Sequence, residues 1–362
     1  MQQGGIMSKR FNRLAAPAAA AAFVFASGAA SAQECGPENW QACGDKPWVT
    51  GEMETPIGER WWPNELWGEG DEAGSTNWYT QPEVVLRALE QVSEGKVYNL
   101  AHEYNAAMPL FGARQFVLRI PATPTGGPFG GNQIVWHDDF LATEVGQVGT
   151  QFDGLGHIGV ASDPDDKSQM HFYNGFTVAE IGDAYGLRHL GVEKLHPIVA
   201  RGILIDFAGA RGVESMEAGE CASMEDVEAA LERQGMADFE FQGGDGIFFR
   251  YGWESHWEDP ATFVEGQPGI CMDVARWISD EVQAGVTGGD NWAATDPVPY
   301  PDEPACAFCV HQHLQTRHGI VNHENLRLKQ LADDEAWVFT YVFGATPITG
   351  ATGSMGAPIA IR

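Results

Sequence analysis

The run Gly146-Gln-Val-Gly-Thr-Gln-Phe-Asp-Gly-Leu-Gly-His157 constrains this chain more than any other stretch. Glycines punctuate it at 146, 149, 154 and 156, so an extended segment broken by sharp turns is expected. On an extended chain, side chains two apart share a face. Gln147, Gln151 and Asp153 then point the same way, and Gly149 leaves room between them. Gly154 and Gly156 let the chain turn and present His157 beside Asp153. A carboxylate and an imidazole converging on one pocket suit metal binding or general acid–base work. The other reading is a polar sheet rim whose groups satisfy one another by hydrogen bonds.

A second polar run, Val310 to Leu326, carries His311, His313, His318, His323 and Glu324. His311, Leu314 and His318 are spaced i, i+3, i+7, one helical face, and Gly319 is placed to end that helix. From Ile320 the chain can return as a strand that carries Glu324 back beside the start of the helix. A single straight helix would put His311 and Glu324 on nearly opposite faces. His313, His318 and His323 read as a solvated histidine face.

Around these runs, helical and strand signals alternate. Pro82 to Glu94 predicts a helix with an apolar stripe of Val85, Leu86, Leu89 and Val92, stopped by Gly95. Further helices are expected over 177–186, 223–235 and 272–282. Strands are expected over 97–101, 115–120, 202–207, 246–251, 337–343 and 357–361. No Ser/Pro linker divides 76–362, so one mixed α/β domain is expected there, preceded by an irregular extension over 33–75. The 44 glycines and 20 prolines fit a turn-rich chain of this kind.

Residues 1–32 read as a signal peptide. Lys9, Arg10 and Arg13 precede the apolar run Leu14–Ala26, and Ala30-Ser31-Ala32 fits a cleavage site before Gln33. The formal charge of the whole chain is −29. Losing three basic residues and no acidic one takes it to −32. Such a surface repels phosphate, which excludes a general nucleic-acid or anionic-membrane partner. A periplasmic or secreted location also suits the even cysteine count. Cys35 and Cys43 can form a local clip, and Cys221 and Cys271 can staple two longer loops. Cys306-Ala-Phe-Cys309 reads as a tight disulfide, with a redox pair or half a zinc site as alternatives; six cysteines allow 15 pairings.

The two polar runs, taken in order with several shorter ones, carry a resemblance. The shorter ones are Asn99-Leu-Ala-His102, Tyr173-Asn-Gly175, Arg201-Gly-Ile-Leu-Ile-Asp206, Gly244-Asp-Gly246, Gly252-Trp253, Gly289-Asp-Asn-Trp292 and Gly350-Ala-Thr-Gly-Ser354. Over roughly 95–362 the chain resembles the metal-dependent cyclase family, the group that includes bacterial kynurenine formamidase and isatin hydrolase. That family carries H-x-G-T-H-x-D-x-x-x-H where this chain has Gln147-Val-Gly-Thr-Gln-Phe-Asp-Gly-Leu-Gly-His157. A branch of the family carries Gln at the second histidine position. The resemblance implies a single mixed β-barrel-like α/β domain with flanking helices.

It also implies an activity: hydrolysis of an amide, cyclic amide or lactone in a small, ring-containing substrate by metal-activated water. By that resemblance Gln147, Gln151, Asp153, His311 and Glu324 fall on the metal positions, and His157 falls on the base. Phe152, Tyr173 and Trp292 are the aromatic candidates for substrate contact. One divalent ion is implied, zinc or manganese; glutamine oxygens in place of imidazoles shift the balance towards manganese. A homo-oligomer, dimer or tetramer, is implied as well. The competing expectation is a periplasmic small-molecule binding or scaffold protein on the same fold that has lost its metal.

Overall fold

Nine strands form one mixed sheet: β1 (Val97–Asn99), β2 (Gln151–Asp153), β3 (Ile198–Asp206), β4 (Gly246–Arg250), β5 (Val286–Gly289), β6 (Val321–Glu324), β7 (Val338–Phe343), β8 (Gly353–Met355) and β9 (Ile359–Ile361). The structure is a computed structural model that describes residues 54–299 and 306–362. The export segment over 1–32, the start at Gln33 and the Cys35–Cys43 clip lie outside the described residues. Across the sheet the order is β8-β2-β6-β5-β4-β3-β7-β9-β1. Neighbours from β3 to β6 pair in parallel, and the strands outside them pair antiparallel. The sheet curls into a half-barrel.

Residue period decides which side each strand feeds. In β3, Ile203 and Ile205 enter one core while Leu204 enters the other. In β4, Ile247 and Phe249 join the first and Phe248 the second. A strand apolar on both faces must lie mid-sheet and covered on both sides, and β3 does. Helix α1 (Pro82–Leu89) closes the second face, and α2 (Met224–Arg233) closes the first with Val227, Ala230 and Leu231. Ser223 and Asp226 form the box that caps α2.

The apolar stripe expected on α1 is corrected here. Val84 and Ala88 are the buried residues, whereas Leu86, Leu89 and Val92 are exposed. Two polar anchors set the helix rotation. Arg87 reaches the Gly243 carbonyl and Asp245, and Thr340 donates its hydroxyl to the Ala88 carbonyl. They turn the small residues, not the large ones, onto the sheet.

The described disulfides are Cys221–Cys271 and Cys306–Cys309. The first joins two short strands across 50 residues of chain, a closure that contributes about 4 kcal/mol in the chain-entropy picture. No described helix is long and apolar enough to cross a membrane.

Candidate metal centre

Strand pairing places the site. β2 and β6 run antiparallel with Gln151 opposite Glu324 and Asp153 opposite Asn322. Directly opposed residues share a sheet face, so these four side chains converge. Gly149, at φ +61°, makes the bend before β2; a Cβ there would lie 2.5 Å from the Tyr104 ring. His311 arrives from α3 (Cys309–His311), which continues as a π-helical turn over Gln312–Arg317. The helix–turn–strand expected between His311 and Glu324 is present, with a wider helical turn than the spacing implies.

Asp153, His311 and Glu324 offer one ligand atom each, all within 4.8 Å of one another, and all three are buried. His311 Nε2 lies 3.1 Å from Glu324 Oε1 and 3.7 Å from Asp153 Oδ2. Asp153 Oδ2 is buried and has no hydrogen-bond partner. A buried carboxylate oxygen with no hydrogen-bond partner keeps a free lone pair that a metal cation can take up in place of the His311 proton.

The glutamines sit at the same cluster as donors. Gln147 Nε2 donates to Asp153 Oδ1 at 2.8 Å, and Gln151 Nε2 donates to Glu324 Oε2. Arg114 donates to Gln147 Oε1 at 2.9 Å, so that oxygen is already engaged. His157 Nε2 lies 3.9 Å from Asp153 Oδ1, with its side chain 23% exposed.

The carboxylates divide one charge pattern unequally. Burial opposes ionisation of Asp153, but His157, His311 and the Gln147 amide outweigh it and hold its pKa below the usual range. Burial, reinforced by the Asp153 charge, pushes Glu324 up to about 8. Burial opposes charging of His311, yet Asp153, Asp296 and Glu324 around it hold its pKa well above the ordinary value. Burial lowers His157 against the pull of Asp153, so its ring is neutral near pH 7 and can accept a proton.

Four further residues, Asp296, Asn322, Arg114 and Phe111, join the site without a signal in the sequence. Asp296 is 1% exposed and directs its carboxylate entirely to α3. Oδ1 accepts from the Val310 amide at 2.9 Å; Oδ2 accepts from the His311 amide at 3.0 Å and meets His311 Nδ1 at 2.5 Å. That bond commits Nδ1 to the proton and leaves Nε2 facing the carboxylates. Asn322 Nδ2 lies 3.3 Å from His311 Nε2. Arg114 and Phe111 line a narrow cleft above Gln147 and Gln151, with Phe263 and Trp292 on its walls. The Phe111 and Trp292 rings stack there at 4.5 Å.

Among the aromatic candidates, only Trp292 lines this cleft. Phe152 is corrected: the alternation that turns Gln151 and Asp153 to the site turns Phe152 into the opposite core, against His323 and Phe343. Tyr173 is corrected too, being fully buried in that same core with its hydroxyl on Asp71 at 2.8 Å. The solvated histidine face is a third correction. His313 is buried, and His323 is fully buried and bonded through Nδ1 to the Tyr341 hydroxyl at 2.6 Å. His323 belongs to β6, whose alternation sends it to the core opposite Asn322 and Glu324.

The Cyclase family model matches residues 98–296, a span that holds Asp153, His157 and Asp296. A crystal structure of a novel cyclase is similar at 27% identity with a TM-score of 0.68, over 82% of this chain and 98% of that one. Isatin hydrolase A from Ralstonia solanacearum is similar at 16% identity and a TM-score of 0.54, over 78% of this chain and 99% of its own. Isatin hydrolase A from Labrenzia aggregata, bound to benzyl benzoate, gives 15% and 0.52, over 73% and 93%. At those identities the two isatin hydrolases speak to the fold. No curated protein sequence matches the chain.

Proposed function

This chain belongs to the Cyclase family, and from that membership together with the buried Asp153–His311–Glu324 cluster we propose that it is a metal-dependent hydrolase. The observation that carries the reading is the partnerless Asp153 Oδ2 beside His311 Nε2 and the raised Glu324 carboxyl. Those donors fit a divalent ion: one imidazole nitrogen and two carboxylates suit zinc or manganese. Asp153, His311 and Glu324 would hold it. Such an ion supplies Lewis-acid polarisation of a carbonyl and makes a nearby water more acidic.

The remaining work falls to the chain. Gln147 and Gln151 each donate an amide hydrogen to a carboxylate, which fixes the oxygens that are left for the ion. Asp296 holds the His311 ring in one tautomer. Neutral His157 is placed to accept a proton at Nε2 and return it to a leaving nitrogen or oxygen. Phe111, Phe263 and Trp292 wall a cleft that holds about one water as it stands, about 10 Å³, so a small amide, cyclic amide or lactone bearing a ring, proposed from family membership, requires the stacked Phe111 and Trp292 rings to part. The signal-peptide pattern and the two described disulfides support export. A homo-oligomeric state is part of the proposal and is read by light scattering.

The test is turnover. Full-length protein loaded with zinc or with manganese is assayed against a panel of aryl amides, cyclic amides and lactones, with chelator-treated protein as control. Metal-dependent hydrolysis of at least one class is expected. Ligand binding without turnover under either metal would overturn the hydrolase reading in favour of a binding protein.

A further inference from the structure

A second cluster lies apart from the first. One ligand atom from each of Asp280, His313 and His318 falls within 4.8 Å of the others. We infer that these three side chains form a second metal site, for a divalent transition ion of the zinc type.

Two π-helical turns build it. The turn over Gln312–Arg317 ends at His318, and the His318 amide donates to the His313 carbonyl at 3.2 Å. That five-residue repeat stacks residues five apart, which a regular α-helix would separate by well over a quarter-turn. The His313 and His318 rings accordingly stand 4.6 Å apart. Asp280 comes from the other π-helical turn, Trp277–Val282. Its Oδ1 is 4.0 Å from His318 Nε2. The Ser279 hydroxyl lies 2.7 Å from Asp280 Oδ1 and 2.9 Å from His313 Nε2, between the two. π-Turns are rare, and they concentrate at functional sites. Here two of them aim their side chains at one point.

The donor set selects the ligand class. Two imidazoles and one carboxylate suit zinc, nickel or copper rather than calcium or magnesium, which prefer oxygen alone. His313 is buried, while Asp280 is 57% exposed, so the cluster is anchored on one side and open on the other. The open side faces a cavity of about 820 Å³ that Trp61, Trp62, Trp67, Trp78, Arg317 and His318 help to line. Two arginines, Arg276 and Arg317, lie near His313, and the second is committed elsewhere. Arg317 donates to the carbonyls of Ile57 and Glu59, on the extension that forms the opposite wall.

Zinc alone is the probe. Untagged full-length protein is equilibrated with excess zinc, passed through gel filtration and analysed for metal content, with circular dichroism as the folding control. Wild type is expected to retain two ions per chain. His318→Ala and Asp280→Asn should each retain one, and so should Asp153→Asn, which acts on the first cluster. Asp280 is surface-exposed, so its variant remains informative if His318→Ala misfolds. Zinc retention equal to wild type in both His318→Ala and Asp280→Asn would overturn the second site. A wild type with one ion, lost in His318→Ala but kept in Asp153→Asn, would uphold it and remove the first cluster instead.

Discussion

Replacing Asp296 with Asn should weaken zinc binding while leaving every proposed ligand in place. Asp296 makes three contacts to α3: two backbone amides and the His311 Nδ1. An Asn side chain has one acceptor oxygen. Turned towards His311, it keeps those two bonds and sets its NH2 against the Val310 amide. Turned the other way, it opposes both His311 donors. At best the variant loses one charge-assisted bond, worth about 1.5–3 kcal/mol, and the charge that fixes the tautomer. Outer partners of metal-bound histidines typically contribute 10- to 100-fold in affinity, or roughly 1.4–2.7 kcal/mol. The two routes agree, so zinc affinity should fall by about 10–100-fold. Competition calorimetry against a chelator of known affinity measures it. Affinity within twofold of wild type, in a folded variant, would show that His311 is not a ligand oriented by Asp296.

Other outcomes follow from the same geometry. His157→Ala should retain bound metal and lose turnover by about 10²–10⁴, the range of a general base; loss of metal would make His157 a ligand instead. Ion binding must expel the protons held on Glu324, whose pKa is about 8, and on His311, so affinity should rise with pH towards 8. Calorimetry in buffers of different ionisation enthalpy should show more than one proton released per ion near pH 7, and a pH-independent affinity would contradict the assignment. In the metal-free protein, folded Glu324 keeps a proton that the unfolded chain has lost between about 4.5 and 8, so this group's stabilising contribution declines as pH rises through that window. The paired change Gln147→His and Gln151→His should raise zinc affinity, since imidazole suits zinc better than an amide does; no gain in a folded variant would mean these side chains cannot turn to a cation.

The site was legible where a short-period rule governs it. Alternation along 151–153 puts Gln151 and Asp153 on one face, and the return strand brings Glu324 beside them. The same rule already argues against Phe152 as a substrate contact, since a residue between two inward-facing ones must face outward. The two π-turns were not legible: a five-residue repeat hides inside a pattern that reads equally well as α-helix. Asp296 was invisible for another reason. It lies in irregular chain, and its partner is the start of a helix 15 residues on, a relation with no periodic trace. The stripe on α1 failed because apolarity alone does not fix rotation; Arg87 and Thr340 do, through contacts at least 156 residues away in sequence. One mixed α/β domain was legible from the alternation of helix and strand signals without a linker, whereas the barrel-like sheet came through the family resemblance; β3 and β4, apolar on both faces, lie mid-sheet as doubly covered strands must.

The central claim is that Asp153, His311 and Glu324 hold a divalent ion. Anomalous diffraction from crystals grown with zinc or with manganese, recorded on both sides of the metal's absorption edge, tests it directly. The account predicts a peak about 2.0–2.2 Å from Asp153 Oδ2, His311 Nε2 and a Glu324 oxygen. A well-ordered cluster with no anomalous peak between those atoms, at metal concentrations that support turnover, would contradict it.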